Sequence, residues 1–287
     1  MTSFLLTALT MIAFAANSVL ARIALGGGLI DPAGYSLVRL ASGALVLFAL
    51  AMVSGNRRSS QPEGSNGLGG NWLSALALFA YAVFFSFSYV AIGAGIGALI
   101  LFASVQGTMI GWGLYRGDRP SAAEWTGLII AFGAFAWLVS PGLSAPDPLA
   151  ATLMAIAGIA WGAYSVRGRG VVDPLGMTAG NFMRTVPMVL ALAAIFLPSL
   201  GATAPGVALA FISGAITSGL GYALWYRVLR SLTGTQAAIV QLTVPVIAGI
   251  GGTLALSEAW TLRFVIASAL ILGGVAIAIL AKAKRLA

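Results

Sequence analysis

The side chains able to do chemistry in this 287-residue chain are few, and most of them sit inside long apolar runs. Asn17 is the only strongly polar residue of the first run, while Gln106 and Gln241 lie well inside two later ones. Aromatic rings gather at Tyr81 and Phe85, at Trp161 and Tyr164, and at Tyr222. A buried amide costs free energy unless it finds partners, so each either bonds a neighbouring helix or lines a cavity. Brought together in one cavity, these groups would capture a small molecule without covalent chemistry. Amides bond an ammonium or a carboxylate, and rings stack on a flat group or hold a cation over their faces. Two arginines, Arg39 and Arg184, also fall within apolar runs. Such residues are functional candidates by default, with three readings open: bonding carbonyls where helices meet, binding a substrate carboxylate, or extending toward the nearest water.

Other chemistries are excluded by what is missing. The chain has no cysteine and no histidine, which removes thiolates, disulfides and the commonest proton shuttle and metal ligand. All seven acids, Asp31, Glu63, Asp118, Glu124, Asp147, Asp173 and Glu258, fall at the ends of apolar runs or between them. No cluster of catalytic side chains is legible, so no enzyme, metal or cofactor is expected. Gly26-Gly27-Gly28 and Gly93-x-Gly95-x-Gly97 lack the strand, turn and acidic partner of a dinucleotide site. No phosphate-binding loop motif is present, which excludes an ATP-driven machine within this chain.

The elements that must position the candidates are membrane spans. Sixty per cent of residues are hydrophobic and 8 % are charged, with a mean hydropathy of +1.00. A span needs about 20 apolar residues to cross a hydrocarbon layer of roughly 30 Å. Ten such runs are expected at 3–25, 32–54, 70–91, 94–115, 121–140, 148–167, 174–197, 205–230, 233–254 and 259–281. The run from Phe4 to Leu25 lacks a basic start and reads as the first span, not a signal peptide. The one long connection, 54–70, is rich in Gly, Ser and Asn and reads as a flexible linker. Net charge is +8, but its placement argues for a bilayer and against nucleic acid. Eleven of the 15 cations fall on the side shared by both termini, which the positive-inside rule makes cytoplasmic. There they anchor topology and touch anionic lipid. The opposite side carries only Arg22 and Arg263, and Arg22 is a local exception to the rule.

A weak repeat divides the chain. Asp31-Pro32 opens the second span and Asp173-Pro174 the seventh, 142 residues apart, with Arg39 and Arg184 following eight and eleven residues on. Arg22 and Arg167 end the first and sixth spans. Ser121…Trp125 with Asp118 matches Ser257…Trp260 with Glu258, and Gly133 matches Gly273-Gly274. The expected organisation is two halves, 1–143 and 144–287, of five spans each. An odd span number inverts the second half and places a binding site between the halves near the membrane midplane. The fold class is therefore an all-α integral membrane protein of ten transmembrane helices in two inverted five-helix repeats. Gly107, Gly249 and Pro245 are expected to supply bends for gating.

With these residues in view, the chain resembles the EamA-type branch of the drug/metabolite transporter superfamily. Its marks are an arginine in the second span of each repeat, here Arg39 and Arg184, and an acid before each last span. The acids are Asp118 in Gly-Asp-Arg-Pro and Glu258 in Ser-Glu-Ala-Trp. The resemblance covers essentially the whole chain and implies secondary export of amino acids, drugs or other metabolites. More narrowly, the chain looks like the YddG-type aromatic amino acid exporters of bacterial inner membranes. That implies an amino acid substrate, and the polar and aromatic residues within the spans that are expected to bind it are Asn17, Tyr81, Phe85, Gln106, Trp161, Tyr164, Tyr222 and Gln241. The amides favour a zwitterion, and a broader drug or metabolite exporter is the alternative. Small multidrug-resistance antiporters, distant relatives in the superfamily, depend on a glutamate in their first span. Asn17 stands there and does not titrate, so facilitated export or exchange without obligatory proton coupling is expected. Ten spans hold both repeats, so a monomer is expected to function.

Overall fold

In hydrocarbon every backbone N–H and C=O must be bonded within the protein, and an apolar chain meets that demand with helices. The computed structural model describes all residues except 1, 54–68, 118, 141, 143, 144, 169, 170, 172, 230–239 and 287. Asp118, most of the expected linker, Arg57, Arg58, Glu63, Arg169, Arg230, the boundary between the halves and the 230/233 division between spans lie outside the described residues.

The helices are α1 (Thr2–Ala21), prolonged by a wide π turn (Arg22–Gly26), α2 (Pro32–Val53), α3 (Trp72–Ser88), α4 (Ala94–Tyr115) and α5 (Ala122–Val139). They continue with α6 (Pro148–Arg167), α7 (Pro174–Ile195), α8 (Ala204–Ile212), a π segment (Ser213–Leu220), α9 (Gly221–Leu229), α10 (Val244–Leu256) and α11 (Leu262–Leu286). The stretch from α8 through α9 is one span interrupted by the π segment. Among the described residues eight helical stretches are long and apolar enough to cross a membrane, and α3 and α10 are two shorter apolar helices, which fits the ten expected. Large apolar side chains such as Phe4, Ile129, Leu254 and Leu262 point outward, as lipid-facing surfaces require.

Helix starts follow the sequence signals. Asp31 Oδ1 accepts from the N–H groups of Ala33 and Gly34, and Asp173 Oδ1 accepts from Gly176 N at 3.0 Å. Proline occupies the first helical position after each cap, where its missing donor costs nothing. Beside the first cap the chain pairs with a distant loop: Ile30 and Ala202 form an antiparallel bridge, and Asp31 N donates to Gly201 O at 2.9 Å.

The packing repeats itself five spans on. α2 pairs with α7 and α5 with α11, and the remaining contacts come in matched sets. α3 lies on α6 as the π-interrupted span lies on α1; α4 lies on α6 as α10 lies on α1. The register is legible in single bonds. Ser42 Oγ donates to Phe211 O at 3.4 Å, and Arg184 Nη1 donates to Gly69 O at 2.7 Å. Ser42 and Arg184 are 142 residues apart, as are Gly69 and Phe211. The spacing of the two Asp-Pro pairs thus holds deep into the helices, and it corrects one expectation. The counterpart of Arg39 is Asn181, and that of Arg184 is Ser42, so the two arginines are not equivalent.

Pro245 lies in the first turn of α10, just after the turn at Leu242 and Thr243 that separates this helix from the helical Val240 and Gln241. Gly107 faces the Phe132 ring, and Gly249 packs against Gly95. The closest helix approach near the centre is at Gly214, where an added Cβ would run into Ser42 Oγ and the Arg39 carbonyl. Gly273, by contrast, has no heavy atom within 4 Å of such a Cβ. Gly214→Ala is expected to lower unfolding stability in detergent by roughly 1–3 kcal/mol through overpacking. Gly273→Ala should be neutral or raise it by about 0.5–1 kcal/mol, as alanine does in an unhindered helix. Equal thermal shifts for the two variants would contradict this packing.

Candidate functional site

Five of the eight predicted binding residues line one central cavity. α1 contributes Phe14, Asn17 and Ser18, α3 Tyr81 and Phe85, α4 Leu101 and Phe102, α6 Trp161, and the π-interrupted span Thr217 and Tyr222. Free space among them is about 20 Å³, room for a water molecule and not for an amino acid. The described arrangement is therefore a closed one.

The apolar part of the cavity is a chain of rings around Trp161. Its centroid lies 4.9 Å from Tyr81, 5.0 Å from Tyr222 and 5.5 Å from Tyr164. Phe85 meets Tyr81 at 5.5 Å, and Phe14 meets Tyr222 edge-on at 6.0 Å. All are within the range of favourable aromatic pairs. Tyr164 lies behind Trp161, buried, and its hydroxyl accepts from Asn181 Nδ2 at 3.4 Å.

The polar part is a continuous network. Asn17 Oδ1 accepts from Ser213 Oγ at 2.6 Å and from Thr217 Oγ1 at 3.2 Å, while Nδ2 donates to the Tyr81 hydroxyl at 3.5 Å. Arg39 Nη2 donates to that hydroxyl at 3.0 Å, and Arg39 Nε donates to Ser218 Oγ at 3.3 Å. The guanidinium carbon also stands 4.6 Å from the Phe85 centroid and 5.1 Å from that of Tyr81. Arg39 is 2 % exposed, and its Nη1 has no hydrogen-bond partner. It neither reaches toward water nor bonds carbonyls, whereas Arg184 bonds the carbonyls of Gly69 and Gly180. The π segment is what assembles the hydroxyls. Its wide turn turns Ser213 and Thr217 toward Asn17 and Ser218 toward Arg39, a use of π geometry common at functional sites.

The other candidates fall elsewhere. On α4, residues 103, 106, 107 and 110 form a stripe at helical spacing that faces α5 and α11. Gln106 and Gly107 accordingly line a separate space of about 10 Å³ with Leu128, Phe132 and Ile271. Gln241 is half-buried just before α10 and lines neither space. Phe14, Ser18, Phe102 and Ser213 were not among the sequence candidates. Phe14 and Ser18 sit three residues before and one after Asn17, so a search along the face of α1 would have found Phe14. Ser213 had no local signal beyond the glycines of its segment.

Polar contacts tie the helices together at both ends. At one end Arg22 Nε pairs with Glu258 Oε1 at 3.0 Å, and Arg22 Nη1 donates to the carbonyls of Tyr89 and Val90. Glu258 Oε2 accepts from Ala94 N at 2.8 Å, so one ion pair ties α1, the α3–α4 turn and the α10–α11 turn. Arg263 bonds the carbonyls of Trp137 and Ser140 at the end of α5. Both cations of the charge-poor side are thus held by internal partners. At the opposite end Arg167 donates to Ser74 Oγ at 3.0 Å and to Asn71 Oδ1 at 3.1 Å, joining α6 to the start of α3.

Comparison with known proteins adds four findings. The model of the EamA-like transporter family matches residues 148–280. An uncharacterized protein of Pseudomonas aeruginosa is 44 % identical over 275 residues, spanning 96 % of this chain and 93 % of that protein. A protein of Archaeoglobus fulgidus described as an uncharacterized transporter is 24 % identical over 216 residues, 71 % of this chain and 76 % of its own. A solved structure titled only as a crystal structure of a protein superimposes with a TM-score of 0.65 over 97 % of this chain and 98 % of its own. At 19 % identity that likeness concerns the fold alone.

The ion pair of Arg22 and Glu258 is open to a double-mutant cycle. Arg22→Met and Glu258→Gln should each destabilise the protein in detergent, with a coupling energy of about 1 kcal/mol between them. Strictly additive effects would mean that the pair does not hold these three elements together.

Proposed function

We propose that the chain is a transporter of the EamA-like family, whose model matches residues 148–280, and that it exports aromatic and other neutral amino acids by alternating access. The observation that carries this reading is the convergence of Asn17 and Tyr81 with the rings around Trp161 in one cavity. Rings accept a flat side chain by stacking, and the polar pair meets its charged end. The halves 1–143 and 144–287 act as inverted repeats, and their rocking opens the Arg22–Glu258 end and the Arg167 end in turn. The self-paired contacts of α2 with α7 and α5 with α11 suit an axis for that motion.

The protein sits in a bacterial inner membrane with both termini cytoplasmic, as the bias of basic residues favours, and a monomer suffices. No acid is among the cavity residues, so transport is facilitated diffusion or exchange and is not obligatorily coupled to protons. A broader drug or metabolite exporter is the second reading. It is favoured by the excess of rings over polar groups in the cavity, which would also take an uncharged flat molecule.

Counterflow in proteoliposomes of the pure protein, with no ion gradient, tests both. Labelled tryptophan and phenylalanine should exchange above the level of empty liposomes, and collapse of a proton gradient alone should not stop export. Trp161→Ala should weaken half-saturation for tryptophan roughly tenfold, the loss of one good aromatic pair. Movement of a cationic dye without amino acid movement would transfer the assignment to the second reading.

A further inference from the structure

Around Asn17 and Tyr81 the hydrogen-bonding capacity left over is donor capacity. The 2.6 Å contact between Asn17 and Ser213 has the length of an O–H···O bond, which places the amide oxygen of Asn17 on the Ser213 and Thr217 side. That oxygen is thereby occupied by Ser213 and shares the Thr217 hydrogen with the Ser213 carbonyl, 2.8 Å from Thr217 Oγ1. The amide nitrogen spends one hydrogen on the Tyr81 hydroxyl and keeps the other. The Tyr81 oxygen accepts from both Asn17 and Arg39, so both of its lone pairs are used and only its O–H remains to be given. Arg39 has donors only, and its buried Nη1 is unpartnered.

Charge points the same way. Arg39 is a fixed cation directly behind Tyr81, and none of the described acids is among the cavity residues. An ammonium brought to Asn17 and Tyr81 would meet spent acceptors there and a like charge in Arg39, which leaves it the hydroxyl oxygens of Ser18 and Thr217. Two of the rings able to receive it, Tyr81 and Phe85, already face the guanidinium.

The geometry points to a site that recognises its substrate by an oxyanion, a carboxylate held by Tyr81 O–H and Asn17 N–H in the field of Arg39, with a flat ring on Trp161 and Tyr222. The substrate class is aromatic carboxylates, within which the amino group of an amino acid is dispensable. This deepens the proposed function and rests on the same cavity.

Titration calorimetry on the purified protein with phenylalanine, 3-phenylpropionate and phenethylamine separates the two ideas. Phenylalanine and 3-phenylpropionate should bind within about threefold of each other, and phenethylamine roughly a hundredfold more weakly, the loss of hydrogen bonds to a charged group. Binding of 3-phenylpropionate without phenylalanine would sink the amino acid reading and leave the carboxylate site standing. Binding of phenylalanine and phenethylamine without 3-phenylpropionate would overturn the carboxylate site and leave the amino acid reading intact. No binding of any of the three would overturn both. Tyr81→Phe should cost both carboxylates about tenfold. Asn17→Asp keeps the shape and places an anion in the cavity, so it should narrow or reverse the preference for 3-phenylpropionate over phenethylamine. An unchanged ratio in a folded Asn17→Asp protein would also overturn the proposal.

Discussion

The centre of this protein is organised by one guanidinium held in an apolar interior with no carboxylate beside it. Removing such a charge from water is expensive, and losing a partner from a buried charge is more so. Arg39 is accommodated by dispersal: two ring faces, the Tyr81 hydroxyl and the Ser218 hydroxyl share it. Each of those partners comes from α3 or the π segment, which fixes both against α2. The wide turn at 213–220 is part of the same solution, because Ser218 meets Arg39 while Ser213 and Thr217 meet Asn17. The absence of side-chain volume at Gly214 lets the segment approach α2 that closely.

Hydropathy and helix caps made the ten spans, the Asp31 and Asp173 starts and the ring cluster around Trp161 legible, because those signals are local. What escaped was everything set by long-range meeting or by departure from regular helix. Arg22 was visible only as a misplaced cation, since its partner Glu258 lies 236 residues away. Gln106 has the right type and depth for a site residue, but its stripe on α4 faces α5 and α11. Ser213 and Thr217 share one face under ordinary helical spacing, and only the π turn adds Ser218 toward Arg39. Arg39 and Arg184 occupy similar places in the sequence pattern, yet one lies among rings and hydroxyls and the other on carbonyls.

The two-fold pattern belongs to the frame and not to the cavity. The Asp31 and Asp173 caps and the bonds of Ser42 and Arg184 repeat at a spacing of 142, whereas the cavity residues do not. At that spacing Asn17 meets Ile159, Trp161 meets Val19, Tyr81 meets Ala223 and Tyr222 meets Ala80. A symmetric scaffold thus carries a one-sided site. The division has a physical rationale: helix packing can be satisfied twice by similar small and apolar residues, but a single small molecule has unlike ends.

The pairing of α5 with α11 has a consequence for how the chain is made. Among the described residues α5 packs chiefly on α11, with only a narrow contact to α4. The C-terminal end of α11 is synthesised about 147 residues after that of α5 (Val139 to Leu286). At ~5–20 residues per second a ribosome needs on the order of ten seconds to cover that stretch. For that interval α5 lies in the bilayer without its main neighbour, its Gly127 face turned to lipid until Gly274 emerges to fill it. Assembly of this bundle therefore waits for α11, and a ribosome that stalls before it leaves an early helix unmatched.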